Sequence, residues 1–253
     1  MSVEPQTLET NAGAITAPPV TVPLERLGLL AMDMDSTAIT IECIDELADF
    51  AGVKAEVAAV TEAAMRGEID FAESLRRRVA CLRGLPVGVL DEVYEQRLRP
   101  TPGLDRLMAF AAAHGIRTLL VSGGFTYFTE RLRRRFGFTY TRANTLEVRA
   151  GRLTGRLCGR LVDAQTKAET LKRLAATLPS ARCATLAIGD GANDLAMLAA
   201  ATLGIAFHAK PAVRAQARAA IDAGGLERVL DFISGASEVI APCPPSPIGR
   251  GLR

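Results

Sequence analysis

Apolar residues along this chain follow two rhythms. Short unbroken runs end in polar punctuation. Leu27–Met32 leads into Asp33, Ile116–Val121 into Ser122-Gly-Gly, Cys183–Ile188 into Gly189-Asp190, and Leu203–Phe207 closes a fourth run. Runs of this length, bounded by turn residues, read as buried strands. Between them the apolar positions spread to helical spacing, predicting helices over 125–136, 165–178, 193–201 and 211–220. Strand–helix alternation predicts an α/β fold: a doubly wound parallel sheet covered on both faces. In such sheets ligands sit beyond the carboxyl ends of the strands, and three of the four runs end there in acidic or hydroxyl residues.

One interval breaks the alternation. Roughly 80 residues separate Asp33 from the second run. Spaced apolar residues recur over Glu42–Phe50, Lys54–Arg66, Phe71–Leu82 and Val87–Leu98, with Gly52, Gly67, Gly84 and Pro86 between them. This predicts a helical cap over 43–100, inserted after the first strand, on a core of 25–42 and 101–236. Alternation around Gly151 and Gly155 predicts a β-hairpin within 139–162. Residues 1–24 lack a clear period and read as a flexible lead-in. The proline-rich stretch 237–253 reads as a disordered tail.

Composition narrows the chemistry. There are two histidines, and lysines fill only Lys54, Lys167, Lys172 and Lys210 among 30 basic positions. Mechanisms built on histidine pairs are therefore disfavoured, and carboxylates are the expected reagents. A net charge of +2 with 5% aromatics gives no nucleic-acid surface. The arginines at 131, 133, 134 and 135 read as one solvated helix face. Five cysteines without a CxxC pair suit reduced thiols rather than a zinc site. No apolar stretch reaches the ~20 residues of a membrane span, and Met1–Pro23 lacks a signal pattern. The expectation is a soluble, cytoplasmic protein.

Four clusters can carry chemistry. In Asp33-Met-Asp35-Ser-Thr37 two carboxylates at i and i+2 share one side of an extended segment. They suit a divalent cation, or a nucleophile beside a general acid/base; a turn or helix cap is the plainer alternative. Ser122-Gly123-Gly124 offers a hydroxyl and exposed amides to an anion, or else only turns the chain. Lys167 is a lysine kept where the chain habitually uses arginine, which hints at a need for a compact ammonium. In Gly189-Asp190-Gly-Ala-Asn193-Asp194 the second acid lies one turn after the first, so both reach one neighbourhood, though a cap plus a surface acid would look the same.

In this order the four clusters resemble the signatures of haloacid dehalogenase (HAD) superfamily phosphatases. Ile41-Glu-Cys-Ile-Asp-Glu46 and Phe71-Ala-Glu-Ser-Leu-Arg-Arg-Arg-Val79 resemble the cap of its phosphoserine-specific branch. The resemblance covers about 27–235. It implies hydrolysis of phosphoserine to serine, the last step of serine biosynthesis, through an aspartyl-phosphate. It makes Asp33 the nucleophile and Asp35 the acid/base. Mg²⁺ would be held by Asp33, Asp190 and the main-chain carbonyl of Asp35, with Asp194 behind them. Lys167, Ser122 and Gly123 would face the phosphoryl group, with Asn193 beside it. Glu42 would take the substrate ammonium, Arg78 its carboxylate, and Met65 and Phe71 would close over it. Arg76 and Arg77 compete for the role of Arg78. A phosphotransferase passing phosphate to a second alcohol is the main alternative, and homodimerisation stays open. The lead-in is too short for the regulatory domain some relatives carry.

Overall fold

The computed structural model describes residues 20–236. In chain order the strands are β1 Val22–Pro23, β2 Leu27–Met32, β3 Arg117–Phe125, β4 Tyr140–Arg149, β5 Arg152–Cys158, β6 Ala184–Gly189, β7 Leu203–Phe207, β8 Ala219–Ile221 and β9 Ile233–Ser234. The helices are α1 Cys43–Ala51, α2 Lys54–Met65, α3 Phe71–Cys81, α4 Gly88–Glu92, α5 Leu104–Ala113, α6 Thr126–Phe136, α7 Ala164–Ala175, α8 Leu195–Ala200 and α9 Pro211–Arg214. None of them is long and apolar enough to cross a membrane.

Seven strands form the main sheet in the order β5-β4-β3-β2-β6-β7-β8, all parallel except the β4–β5 pair. Every residue of β2, β6 and β7 is buried, which is why these strands appear in the sequence as continuous apolar runs. Alternate side chains still go to opposite faces. Leu30, Met32, Leu120, Leu186 and Ile188 pack with Leu104, Leu107, Phe128 and Leu132 of α5 and α6. Leu29, Ala31, Leu119, Val121 and Ala187 pack with Leu171 of α7 and Met197 and Leu198 of α8. The chain winds out from β2 to β3 on one side and returns to β6 on the other. The carboxyl end of β2 is thus the switch point, where neighbouring connections part and leave a crevice.

The segment between β2 and α5 is helical, as its spacing predicts. α1 buries Cys43, Ile44, Leu47 and Ala48 on one face, and α3 buries Ser74, Leu75 and Val79. α2 packs on α3 and α1 and buries Val57 alone. Two connections bring this insertion back to the core side by side, with Thr40 N–H donating to Arg99 O and Thr101 N–H to Ala38 O, both at 3.0 Å. Its Gly84–Val87 stretch also lies along the hairpin. Gly84 N–H donates to Leu153 O (2.8 Å), Leu153 N–H to Leu85 O (2.9 Å) and Val87 N–H to Gly151 O (2.9 Å).

Several expectations need correction. The helix expected over 211–220 stops at Arg214, and Ala219–Ile221 pairs with β7 instead. All three of those residues are buried, so sheet pairing overrides alanine's helix preference. The helix expected over Val87–Leu98 is the short α4 followed by a wide turn through Val93–Arg97. The first strand of the expected hairpin also joins β3 in parallel and extends the sheet. The lead-in expected over 1–24 gives way before its end to β1, where buried Val22 pairs with Ile233; residues 1–19 and the expected tail 237–253 lie outside the described residues. Arg131 leaves the solvated face of α6. Its guanidinium lies 3.6 Å over the Tyr127 ring and 2.8 Å from Asp91 Oδ1 on α4, where the Tyr127 hydroxyl also donates.

Candidate active site

The site gathers at the switch point. Asp33 directly follows β2, and its N–H continues the sheet by donating to Ile188 O at 3.0 Å. The chain then makes one wide turn, with Ala38 N–H donating to Asp33 O (3.3 Å) and Ile39 N–H to Met34 O (3.0 Å). Asp33 Oδ1 accepts from Met34 N–H at 2.7 Å. Its Oδ2 lies 2.8 Å from Lys167 Nζ, which also donates to Asp194 Oδ1 at 2.7 Å. Lys167 is placed by α7, whose first turn is capped by the Asp163 carboxylate accepting from Thr166 N–H.

Asp33, Asp190 and Asp194 each offer a carboxylate oxygen within 4.8 Å of the others. Asp190 also accepts from the Thr37 hydroxyl (3.1 Å), and Asp194 Oδ2 accepts from Gly191 N–H (3.1 Å). Three hard oxygen donors so close fit a small divalent cation. The Asp35 carboxylate faces elsewhere. Its Oδ1 accepts from Cys43 N–H at the start of α1 (3.0 Å), and its Oδ2 accepts from the Ser122 hydroxyl (3.3 Å).

Electrostatics follow from this crowding. Burial and the Asp194 charge push Asp33 well above the usual carboxylate range, against the pull of Lys167. Burial likewise raises Asp35, although its bonds from Cys43 oppose it. Burial and Asp194 bring Asp190 up to about 6. Desolvation works against the Lys167 charge, but Asp194 and Asp33 outweigh it and hold its pKa above the ordinary lysine value. Charge on the lysine is what lets these carboxylates share the site.

Ser122–Gly124 forms the opposite wall; the strand does not end there as the sequence suggested, but runs on to Phe125 with its register to β4 shifted between Val121 and Phe125. Ser122 Oγ accepts from Gly124 N–H at 2.8 Å, and Asn144 bridges the back of this irregular stretch, donating to Gly123 O and accepting from Val162 N–H, both at 2.8 Å. Gly124 has no room for a side chain, because a Cβ there would stand 2.5 Å from Asp35 Oδ2. The Phe71 ring reaches down from the insertion to within 3.0 Å of where a Cβ on Gly123 would lie.

These parts enclose a cavity of about 120 Å³. Of the residues expected from the sequence, Asp33, Asp35, Glu42, Phe71, Arg78, Ser122, Gly123, Asp190 and Asn193 line it. Lys167 and Asp194 support it from behind. Met65 is not brought there; it stands 69% exposed at the end of α2. Gly124, the third member of the expected anion cradle, lines it as well; Ile44, Leu75 and Phe125 also line the cavity and were not expected to. Leu75 could have been found, since Phe71, Leu75 and Arg78 follow at i, i+4 and i+7 on one face of α3.

The same face separates the three arginines. Arg76 is exposed and Arg77 pairs with Glu73 at 2.7 Å, whereas Arg78 turns into the cavity. Among the described residues its Nε is the one buried side-chain nitrogen or oxygen without a hydrogen-bond partner. Desolvation lowers its pKa, while Asp45 and Glu42 draw it back up. Glu42 stands at the rim beside it. Desolvation and the Asp35 charge bring its carboxyl group up to about 7.

Residues 30–199 match the haloacid dehalogenase-like hydrolase family. The chain is 53% identical over 210 residues to a phosphoserine phosphatase of Polaromonas sp. (strain JS666), spanning 81% of this chain and 89% of that one. Its structure resembles the unliganded probable phosphoserine phosphatase of Vibrio cholerae (TM-score 0.76, 46% identity, 90% of this chain and 71% of that chain). It also resembles a substrate-bound phosphoserine phosphatase complex (TM-score 0.74, 36% identity, 82% of this chain and 98% of that chain).

Proposed function

The chain belongs to the haloacid dehalogenase-like hydrolase family, in company with its phosphoserine phosphatases, and we propose from that premise that it hydrolyses O-phospho-L-serine to serine and phosphate. One observation carries the choice of substrate. A small cavity is lined both by Asp33 and by a half-buried arginine, Arg78, whose buried Nε has no partner, with the Glu42 carboxylate also in the lining. A phosphate ester of a free amino acid matches both sets of groups.

Asp33 attacks phosphorus, forming its own bond to it as the bond to the serine oxygen breaks. Asp35, whose burial favours the protonated form, gives that oxygen its proton. It then takes a proton from the water that attacks the aspartyl-phosphate and releases phosphate. In this reading the Ser122 hydroxyl and the Gly123 amide face the phosphoryl oxygens, and Lys167 adds its positive charge from behind Asp33, so that all three stabilise developing charge. Arg78 donates two hydrogen bonds to the substrate carboxylate, and the Glu42 carboxylate accepts from its ammonium. Helices α1–α4 serve as the cap, Phe71 and Leu75 excluding water from above.

The divalent cation is Mg²⁺ in this reading. The close oxygens of Asp33 and Asp190 would hold it, with the Asp35 main-chain carbonyl, and Asp194 would support it from behind. When bound it supplies positive charge to the phosphoryl group.

Phosphate release across a panel of phosphomonoesters, with and without chelator, tests the assignment. Phosphoserine should be strongly preferred, and chelator should abolish turnover. Equal rates on phosphoserine, phosphoethanolamine and sugar phosphates would overturn the substrate.

A further inference from the structure

Ser36 lies between the acid pair and the helical insertion in a conformation serine seldom takes. Its φ of 54° and ψ of 4° fall in the left-handed region, where glycine, asparagine and aspartate are the usual occupants and other residues carry a conformational cost. The turn is fixed by Ser36 N–H donating to Ile41 O at 3.2 Å. What serine has here that glycine lacks is a hydroxyl, and that hydroxyl donates to Glu42 Oε1 at 2.6 Å.

Glu42 needs such a partner. It occupies the residue before α1, yet its side chain makes no capping bond to that helix. It stands at an exposed rim with Asp35 and Asp190 repelling it. Among the described residues Ser36 is its one hydrogen-bond donor, which leaves Oε2 free for a cation from the cavity.

We propose that Ser36 is a positioning residue: its hydroxyl fixes the Glu42 carboxylate to receive the substrate's ammonium group, and so sets the preference for amino-bearing phosphomonoesters. This rests on the reading of Glu42 as the ammonium acceptor.

Steady-state kinetics of the full chain with Mg²⁺ test it on two substrates, O-phospho-L-serine and its deamino analogue 3-phosphooxypropionate. Ser36→Ala removes the hydroxyl and keeps the backbone cost; Ser36→Gly removes both, so it folds at least as readily. Both variants should raise KM for phosphoserine ~10-fold relative to KM for the analogue, about the worth of one charge-assisted hydrogen bond. A Ser36→Gly enzyme with wild-type KM values, or one equally impaired on both substrates, would overturn the role. Glu42→Gln separates the two claims. If it loses discrimination while neither Ser36 variant does, the positioning role alone fails. If it discriminates as well as the wild type, the reading of Glu42 fails and the positioning role with it.

Discussion

Lys167 Nζ lies 2.8 Å from Asp33 Oδ2, with both side chains almost wholly withdrawn from water. Asp194 completes the arrangement from the far side of the ammonium. Removing the lysine would leave two buried carboxylates facing each other. Lys167→Met should therefore destabilise the metal-free protein by ~3–5 kcal/mol, the usual cost of breaking a buried pair. Urea denaturation in chelator measures it. Lys167→Arg should not restore turnover, because a planar fork cannot replace a compact ammonium between two oxygens. Wild-type stability in Lys167→Met would mean the pair contributes nothing to the fold.

Asp33→Asn keeps the shape of the side chain and removes the nucleophilic charge. Turnover should fall at least ~10³-fold while the far-ultraviolet dichroism stays that of the wild type. Appreciable residual hydrolysis would place the nucleophile on another residue.

Arg78→Ala should raise KM for phosphoserine ~10–100-fold, and far less for phosphoethanolamine, which has no carboxylate to lose. Equal effects on the two substrates would make Arg78 a structural residue.

The Glu42 carboxyl group titrates near 7 rather than in the usual carboxylate range, because of desolvation and the Asp35 charge. Ammonium binding needs it ionised, so KM for phosphoserine should fall as pH rises through about 7. KM for a deamino analogue should not follow. The sign for stability is opposite. The folded protein holds this proton more tightly than the unfolded chain, whose glutamates titrate near ~4.3. Stability of the free protein should thus decrease as pH rises from ~4.3 to about 7, and Glu42→Gln should flatten that slope in denaturation curves.

Asn144 is buried and joins two backbones, the Gly123 carbonyl and the Val162 amide. Asn144→Ala should cost ~1–3 kcal/mol by leaving both groups unpaired. A loss below that range in thermal or urea unfolding would show that water replaces the side chain.

The sequence made the core legible because β2, β6 and β7 are buried on both faces and so appear as uninterrupted apolar runs. Their polar endings then pointed at the switch point, and Asp33, Ser122, Lys167 and Asp190 meet there. Ala219–Ile221 hid its strand because a short alanine-rich edge carries no alternation and is held by its partner β7 alone. Met65, the last residue of α2, stays exposed and away from the cavity, which motif spacing does not reveal because it depends on how α2 packs on α3 and α1. Ser36 was hidden differently. Nothing in a Ser-Thr pair announces a left-handed backbone, and its bond to Glu42 depends on how the chain turns between them. Ile44 and Phe125 became visible only once α1 and β3 faced each other across the crevice.

The hydrogen bonds from Gly84–Val87 to the hairpin have a bearing beyond catalysis. β5 is the last strand of the sheet, paired on its inner side with β4, and an open outer edge of this kind is a template for joining another chain. The helical insertion lends that edge a few residues of its own backbone. A core excised from its insertion would therefore leave the Leu153 amide and carbonyl unpaired on the outer edge of β5: the segment that lines the cavity also covers part of the sheet's last strand.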